Sequence, residues 1–227
     1  MNSIKKTARM AGFLYLIYMA THIISDILRD SLIVPGDAAT TASNIMVHEG
    51  LFTLTAVGDL LAATIFFLTA WALYVLLKPV NMNLALLFLL LNLGGVAIQC
   101  SSDLFLFASQ LLMNGPDYLN GFQVDQWQSL AMFFLDLREK AFTVAQLFYG
   151  AWLFPLGYLV YKSGFLPKIL GIVLMVHCFT WVSTFFQSFL FPDFTAITYV
   201  SWPLGFIAEF GLTLWLLIMG AKEQKPA

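Results

Sequence analysis

Apolar residues gather in six long runs along the chain, and short polar turns separate them. A helix rises ~1.5 Å per residue, so ~20 apolar residues cross the ~30 Å hydrocarbon core of a bilayer. The runs predict spans over about 10–28, 51–77, 84–112, 142–161, 169–189 and 200–220. Lys78-Pro79 closes the second run and Pro192 follows the fifth. In the polar stretch 29–50, Pro35-Gly36 predicts a turn. Asp37 is placed to cap a helix through Ala38, Ala39 and Ala42, with the second span as its continuation. Asn114-Gly115-Pro116-Asp117 predicts a loop. After it, Val124 to Leu137 mixes polar and apolar residues at helical spacing, and Trp127 and Phe133 suit a bilayer interface. That stretch reads as an interfacial lead-in to the fourth span, so 29–50 and 114–141 become outer loops or interfacial helices.

Composition turns the pattern into a class. The 227 residues are 60% hydrophobic and only 11% charged, against about 25% charged in soluble domains. Lipid must therefore solvate much of the surface. The expected fold is all-α: a polytopic membrane helix bundle of about six transmembrane helices, forming a single integral membrane domain over 1–227. Lys5, Lys6 and Arg9 before an apolar run resemble a signal peptide, but the run continues through Tyr15, Tyr18 and Ile24. A retained first helix is the expectation. Cytoplasmic loops collect Lys and Arg. Lys5, Lys6, Arg9, Lys78, Lys162, Lys168, Lys222 and Lys225 fall on one side, against Arg29, Arg138 and Lys140 near the other. Both termini are therefore expected in the cytoplasm. The net charge of −2 gives no reason to expect nucleic acid as a partner. Cys100 and Cys178 lie in apolar runs and read as buried reduced thiols. No Cys/His cluster has zinc-ligand spacing, so no metal or cofactor is expected.

Ionisable residues inside a bilayer cost at least ~2.5–3.5 kcal/mol at a helix centre, which makes each a candidate for function. His22 and Asp26 share a helix face and suit a hydrogen-bonded pair or two metal ligands. Asp26, Asp59 and Asp103 fall near the outer ends of their spans. Each alone would be a solvated rim residue, and together they suggest an outward-facing polar vestibule. Asp136, Arg138, Glu139 and Lys140 are expected at the outer boundary, with Asp136 and Lys140 at ion-pair spacing. Arg138 suits a site mouth that holds an anion or a lipid phosphate. His177 lies near the middle of the fifth span, where a bond to a backbone carbonyl would satisfy it as well as a functional partner. Glu209, halfway along the sixth, must face the bundle and be protonated or partnered. The two spans are consecutive, so His177 and Glu209 are within reach of each other. His48 shares a face with Asp59, but the two are ~16 Å apart along the helix, and Phe52 stands where a zincin would carry its second His. Ser101-Ser102-Asp103 invites a hydrolase reading, though both serines would more simply bond to carbonyls a turn earlier. Gly94-Gly95, Gly205 and Gly211 read as close helix contacts.

Several segments resemble one family. Val34-Pro35-Gly36-Asp37-Ala38-Ala39, the stretch from Asn44-Ile45 to Asp59, and the stretch from Ala72-Leu73-Tyr74 to Lys78-Pro79-Val80-Asn81 resemble the bacterial multi-pass family known as domain of unknown function 4386. So do Phe134-Leu135-Asp136-Leu137 and the run from Phe154 to Lys168. The resemblance implies a bacterial inner-membrane protein and brings no activity, cofactor or catalytic residue. The residues themselves favour a non-enzymatic module that binds or moves a small molecule or lipid. His22, Asp26, Asp59, Asp103, Arg138, Glu139, His177 and Glu209 are the candidate lining. The alternatives are a membrane-embedded, metal-assisted hydrolase using His22, His48, His177 and an acid, or an accessory subunit of a membrane complex. Expected partners are the bilayer, a small-molecule or lipid ligand, and either a second copy of the chain or another membrane protein.

Overall fold

A computed structural model describes residues 3–115, 121, 123–194 and 196–222. Seven helices carry the chain, and no strand occurs among the described residues. They are α1 (Ser3–Asp30), α2 (Ala38–Val47), α3 (Glu49–Leu77), α4 (Met82–Met113), α5 (Val124–Lys162), α6 (Lys168–Leu190) and α7 (Ala196–Ile218). All but α2 are long and apolar enough to cross a membrane, which makes six spans. Large apolar side chains such as Ile27, Leu54, Leu61 and Leu104 are exposed, as lipid-facing positions require. The expected loop residues Pro116 and Asp117, and the basic Lys225, lie outside the described residues.

Local chemistry sets the boundaries. The Asp37 side chain accepts from the Thr40 amide at 2.9 Å and from the Thr40 hydroxyl at 2.7 Å, which starts α2. α2 does not run on into the second span. His48, at φ −115° and ψ 37°, breaks the helix for one residue before α3. The expected lead-in 124–137 is continuous with the fourth span. α5 is one helix of 39 residues, about 58 Å long at ~1.5 Å per residue. Trp127 packs half-buried on the core formed by Leu32, Ile45, Phe52 and Leu135. α7 contains Pro203, and the helix widens into a π-turn at Phe206–Phe210 just after it. Proline lacks an amide donor, and π-turns interrupt the i→i+4 ladder of an α-helix.

Two compact units divide the chain. The first comprises the residues up to Tyr18, Thr64–Val96 and the residues from Thr143. Its centre is aromatic: Phe66 stacks on Tyr18 at 4.0 Å and meets the edge of Trp152 at 5.0 Å. Glycines let backbones touch here. A Cβ on Gly157 would stand 2.7 Å from the Gly171 carbonyl oxygen, and one on Gly95 would meet Tyr149 at 2.4 Å. The second unit comprises Met19–Ala63 and Ala97–Phe142. In it α2 buries Ala42 and Ile45 against Phe52, Leu106, Met113 and Leu135.

Candidate functional site

The second unit holds a buried ionic network contributed by α1, α3, α4 and α5. On α1, His22, Asp26 and Arg29 fall on one face at i, i+4 and i+7. Gly58 lets α3 approach that helix closely, since a Cβ there would lie 2.3 Å from the Ser25 hydroxyl. Asp59, next along α3, is therefore delivered to Arg29. Asp59 is 0% exposed. It accepts from Arg29 Nη1 and, at 3.0 Å, from Arg138 Nη2, while His22 Nδ1 stands 3.2 Å from its other oxygen. Arg138 Nε reaches Asp103 Oδ1 at 3.2 Å, and the guanidinium lies 5.0 Å from the Phe142 ring. Arg29 Nη2 also donates to Asp26, whose second oxygen is 3.4 Å from His22 Nε2. The result is a chain of opposite charges, Asp26–Arg29–Asp59–Arg138–Asp103, with His22 bridging its first and middle acids. Only Asp26, with 36% of its side chain exposed, reaches the edge.

Burial differs from the expectation at these positions. Asp59 and Asp103 are not solvated rim residues but 0% exposed, and Arg138, expected at the outer boundary, is itself enclosed by protein, being 5% exposed. Arg138 and Arg29, the latter expected only as a charge on the outer side, stand among the acids expected to line the vestibule. The signal was present: Arg29 lies three residues after Asp26 and seven after His22. Glu139 is exposed, and so are Asp136 and Lys140. His48 is exposed at the end of α2. Ser101 and Ser102 donate to the Ala97 and Gln99 carbonyls at 2.8 and 2.7 Å, as their own helix satisfies them. His22, Asp26 and Asp59 each offer one ligand atom, all within 4.8 Å of one another. Arg29 already bonds to both carboxylates, so a divalent ion there would have to displace a guanidinium.

The first unit assembles a second group. Glu209, in the π-turn of α7, accepts from the Tyr15 hydroxyl of α1. Its Oε1 lies 3.5 Å from Nε2 of His177 on α6. Gly205 makes room for that ring, since a Cβ there would stand 2.6 Å from Nε2. His177 bonds through Nδ1 to the Thr180 hydroxyl at 3.0 Å. Adjacency of the two helices brings His177 and Glu209 together as their order in sequence suggested. Tyr15, read only as part of an apolar run, was the unforeseen member. Apart from Glu139, the candidate lining residues fall into two groups, one within each unit.

A multi-pass helical membrane protein with charged side chains buried between its spans is the class these features define. The family model described as Domain of unknown function (DUF4386) matches residues 10–220, and the chain belongs to that family. No curated protein and no solved structure matches it.

Proposed function

We propose that this protein is a non-enzymatic module of the bacterial inner membrane that binds or moves a small molecule or lipid, with both termini cytoplasmic. The supporting observation is the Asp59-centred network. Apolar residues of similar volume usually stabilise a protein as well as a buried ion pair does, and charges inside a bilayer are costly. Five charged side chains on four helices therefore call for a use beyond cohesion. Three carboxylates face two guanidiniums, and Asp26, 36% exposed at the network's edge, is the acid that a ligand can reach. That edge favours a ligand with a cationic group, such as an amine or a zwitterionic headgroup.

Native mass spectrometry of protein released directly from host membranes tests this reading. The expected result is a retained adduct that Asp26→Asn weakens. A wild-type spectrum free of adducts, or one the variant reproduces, would sink it. Orientation is checked with a membrane-impermeant maleimide on whole cells. Ser43→Cys on α2 should label and Lys78→Cys should not; the reverse would invert the topology.

A further inference from the structure

No Lys or Arg forms an ion pair with Glu209 among the described residues, in contrast to every acid of the ionic network. The Glu209 side chain is only 16% exposed. The titratable groups facing it are Tyr15 from α1, whose ring stands 6.0 Å from that of Tyr18, and His177 from α6, 1% exposed. Nε2 of His177 has no hydrogen-bond partner, although Oε1 of Glu209 lies 3.5 Å away.

Proton counting decides what this arrangement holds. The Thr180 hydroxyl donates to the His177 carbonyl at 3.0 Å, which leaves it to accept from Nδ1–H. In that tautomer Nε2 turns a lone pair toward a carboxylate oxygen, and the two acceptors repel in a medium of low dielectric constant. One proton between them removes both the repulsion and the charge. In the other tautomer Nε2–H faces the carboxylate, but the acid's charge then has no compensating cation. A proton on Nδ1 cancels it. Both tautomers end with one proton more than a carboxylate and a neutral imidazole carry.

We infer that Glu209 and His177 form a proton-binding site that holds one dissociable proton between the π-turn of α7 and the middle of α6. Release sends that proton to solvent and leaves a carboxylate beside a neutral imidazole. Thr180 links the pair outward. Its hydroxyl accepts from Ser201 at 3.3 Å and lines a groove with Phe179, Ser183 and Ile197. The inference stands on the first unit alone and is independent of any ligand at the ionic network.

Full-length protein in lipid nanodiscs, titrated from about pH 5 to about pH 10, provides the test. Infrared difference spectra report a protonated carboxyl, and ¹⁵N resonances report the imidazole. His177 is assigned through the His177-Cys178 pair, the single His-Cys step in the chain. The expected result is one proton lost on raising the pH, seen either as the carboxyl band or as the imidazolium signal of His177. Glu209→Gln keeps the volume and a donor, so it should fold and abolish that titration. A neutral His177 beside an ionised Glu209 at every pH overturns the inference. So does a proton never released across the range, or a titration that Glu209→Gln leaves unchanged. Should that variant fail to fold, the wild-type resonances of His177 still decide between these outcomes.

Discussion

Arg138→Met isolates the electrostatic role of the network. Arg138 is the ion-pair partner of Asp103, and Asp103 Oδ2 has no hydrogen-bond partner already. Methionine keeps much of the aliphatic stem and removes the charge. Asp59 would keep Arg29, but Asp103 would be left buried and uncompensated. Removing one partner of a buried pair costs about 3–5 kcal/mol. For a chain of this size, 1 kcal/mol moves the melting temperature by about 2–4 °C, so the variant should melt about 6–20 °C below wild type. Asp103→Leu with Arg138→Met removes both charges and should recover most of that loss, since well-packed apolar replacements of buried pairs are often neutral. Thermal unfolding in one detergent, followed by tryptophan fluorescence across the double-mutant cycle, reads the coupling directly. If Arg138→Met melts within about 2 °C of wild type, or the double variant is no better than the single, Arg138 does not hold Asp103 by charge.

Two further predictions concern packing and capping. Gly58→Ala should destabilise the protein by about 1–3 kcal/mol through overpacking, and Ser25→Ala should relieve most of it, because the obstruction is one hydroxyl at 2.3 Å. Gly157→Ala should find no such rescue, because its Cβ would meet the Gly171 carbonyl at 2.7 Å and the Met175 amide at 2.9 Å, both backbone; melting curves of the two pairs separate these cases. At the start of α2, hydrogen bonds from the Thr40 hydroxyl and amide hold the Asp37 carboxyl below its ordinary value. A depressed folded-state value means the cap is fully effective above the unfolded carboxylate value of about 3.9 and is lost as the pH falls through the folded one. Hydrogen exchange at the Thr40 and Thr41 amides should therefore quicken in acid beyond the intrinsic rate, and Asp37→Ala should abolish that pH dependence by removing the titrating group. Protection unchanged in Asp37→Ala would refute the capping role.

The spans were legible in the sequence because lipid imposes one demand, an apolar run of sufficient length, and the residues at each position report it directly. Asp37 was legible as a cap for the same reason, since its partner lies three residues on. What failed was burial. A charged residue near the outer end of a span looks solvated when its helix is read alone, yet α5 continues for 39 residues and its Arg138 is met by acids of two other helices. Arg138 then sits inside a packed unit and not at its surface. Polar residues in a long helix can be buried if acids on neighbouring helices meet them, and which helices are neighbours is not written in any single segment. Arg29 shows the limit from the other side. Its spacing to Asp26 and His22 was visible, but the acid that buries it, Asp59, comes from α3 and is reached because Gly58 has no side chain.

The two polar groups differ in one respect that bears on what each can do. In the second unit, helices supply their own cations: Arg29 and Arg138 occupy most of the acceptor capacity of Asp59, and Asp103, which Arg138 also meets, keeps one buried oxygen unpartnered. Exchange with the surroundings is open where the network is least enclosed, at Asp26, 36% exposed, beside His22. The Glu209 group has the opposite balance. A tyrosine hydroxyl donates to its carboxylate, an imidazole nitrogen lies 3.5 Å away, no guanidinium meets it among the described residues, and the helix around it has already given up regular hydrogen bonding in the π-turn. A buried acid whose charge partner, among the described residues, is a histidine can change state by moving a single proton. Substituting a fixed cation for that histidine, as in His177→Lys, would therefore be expected to lock Glu209 in its ionised form and silence the titration, while the ionic network in the second unit keeps its melting contribution unchanged.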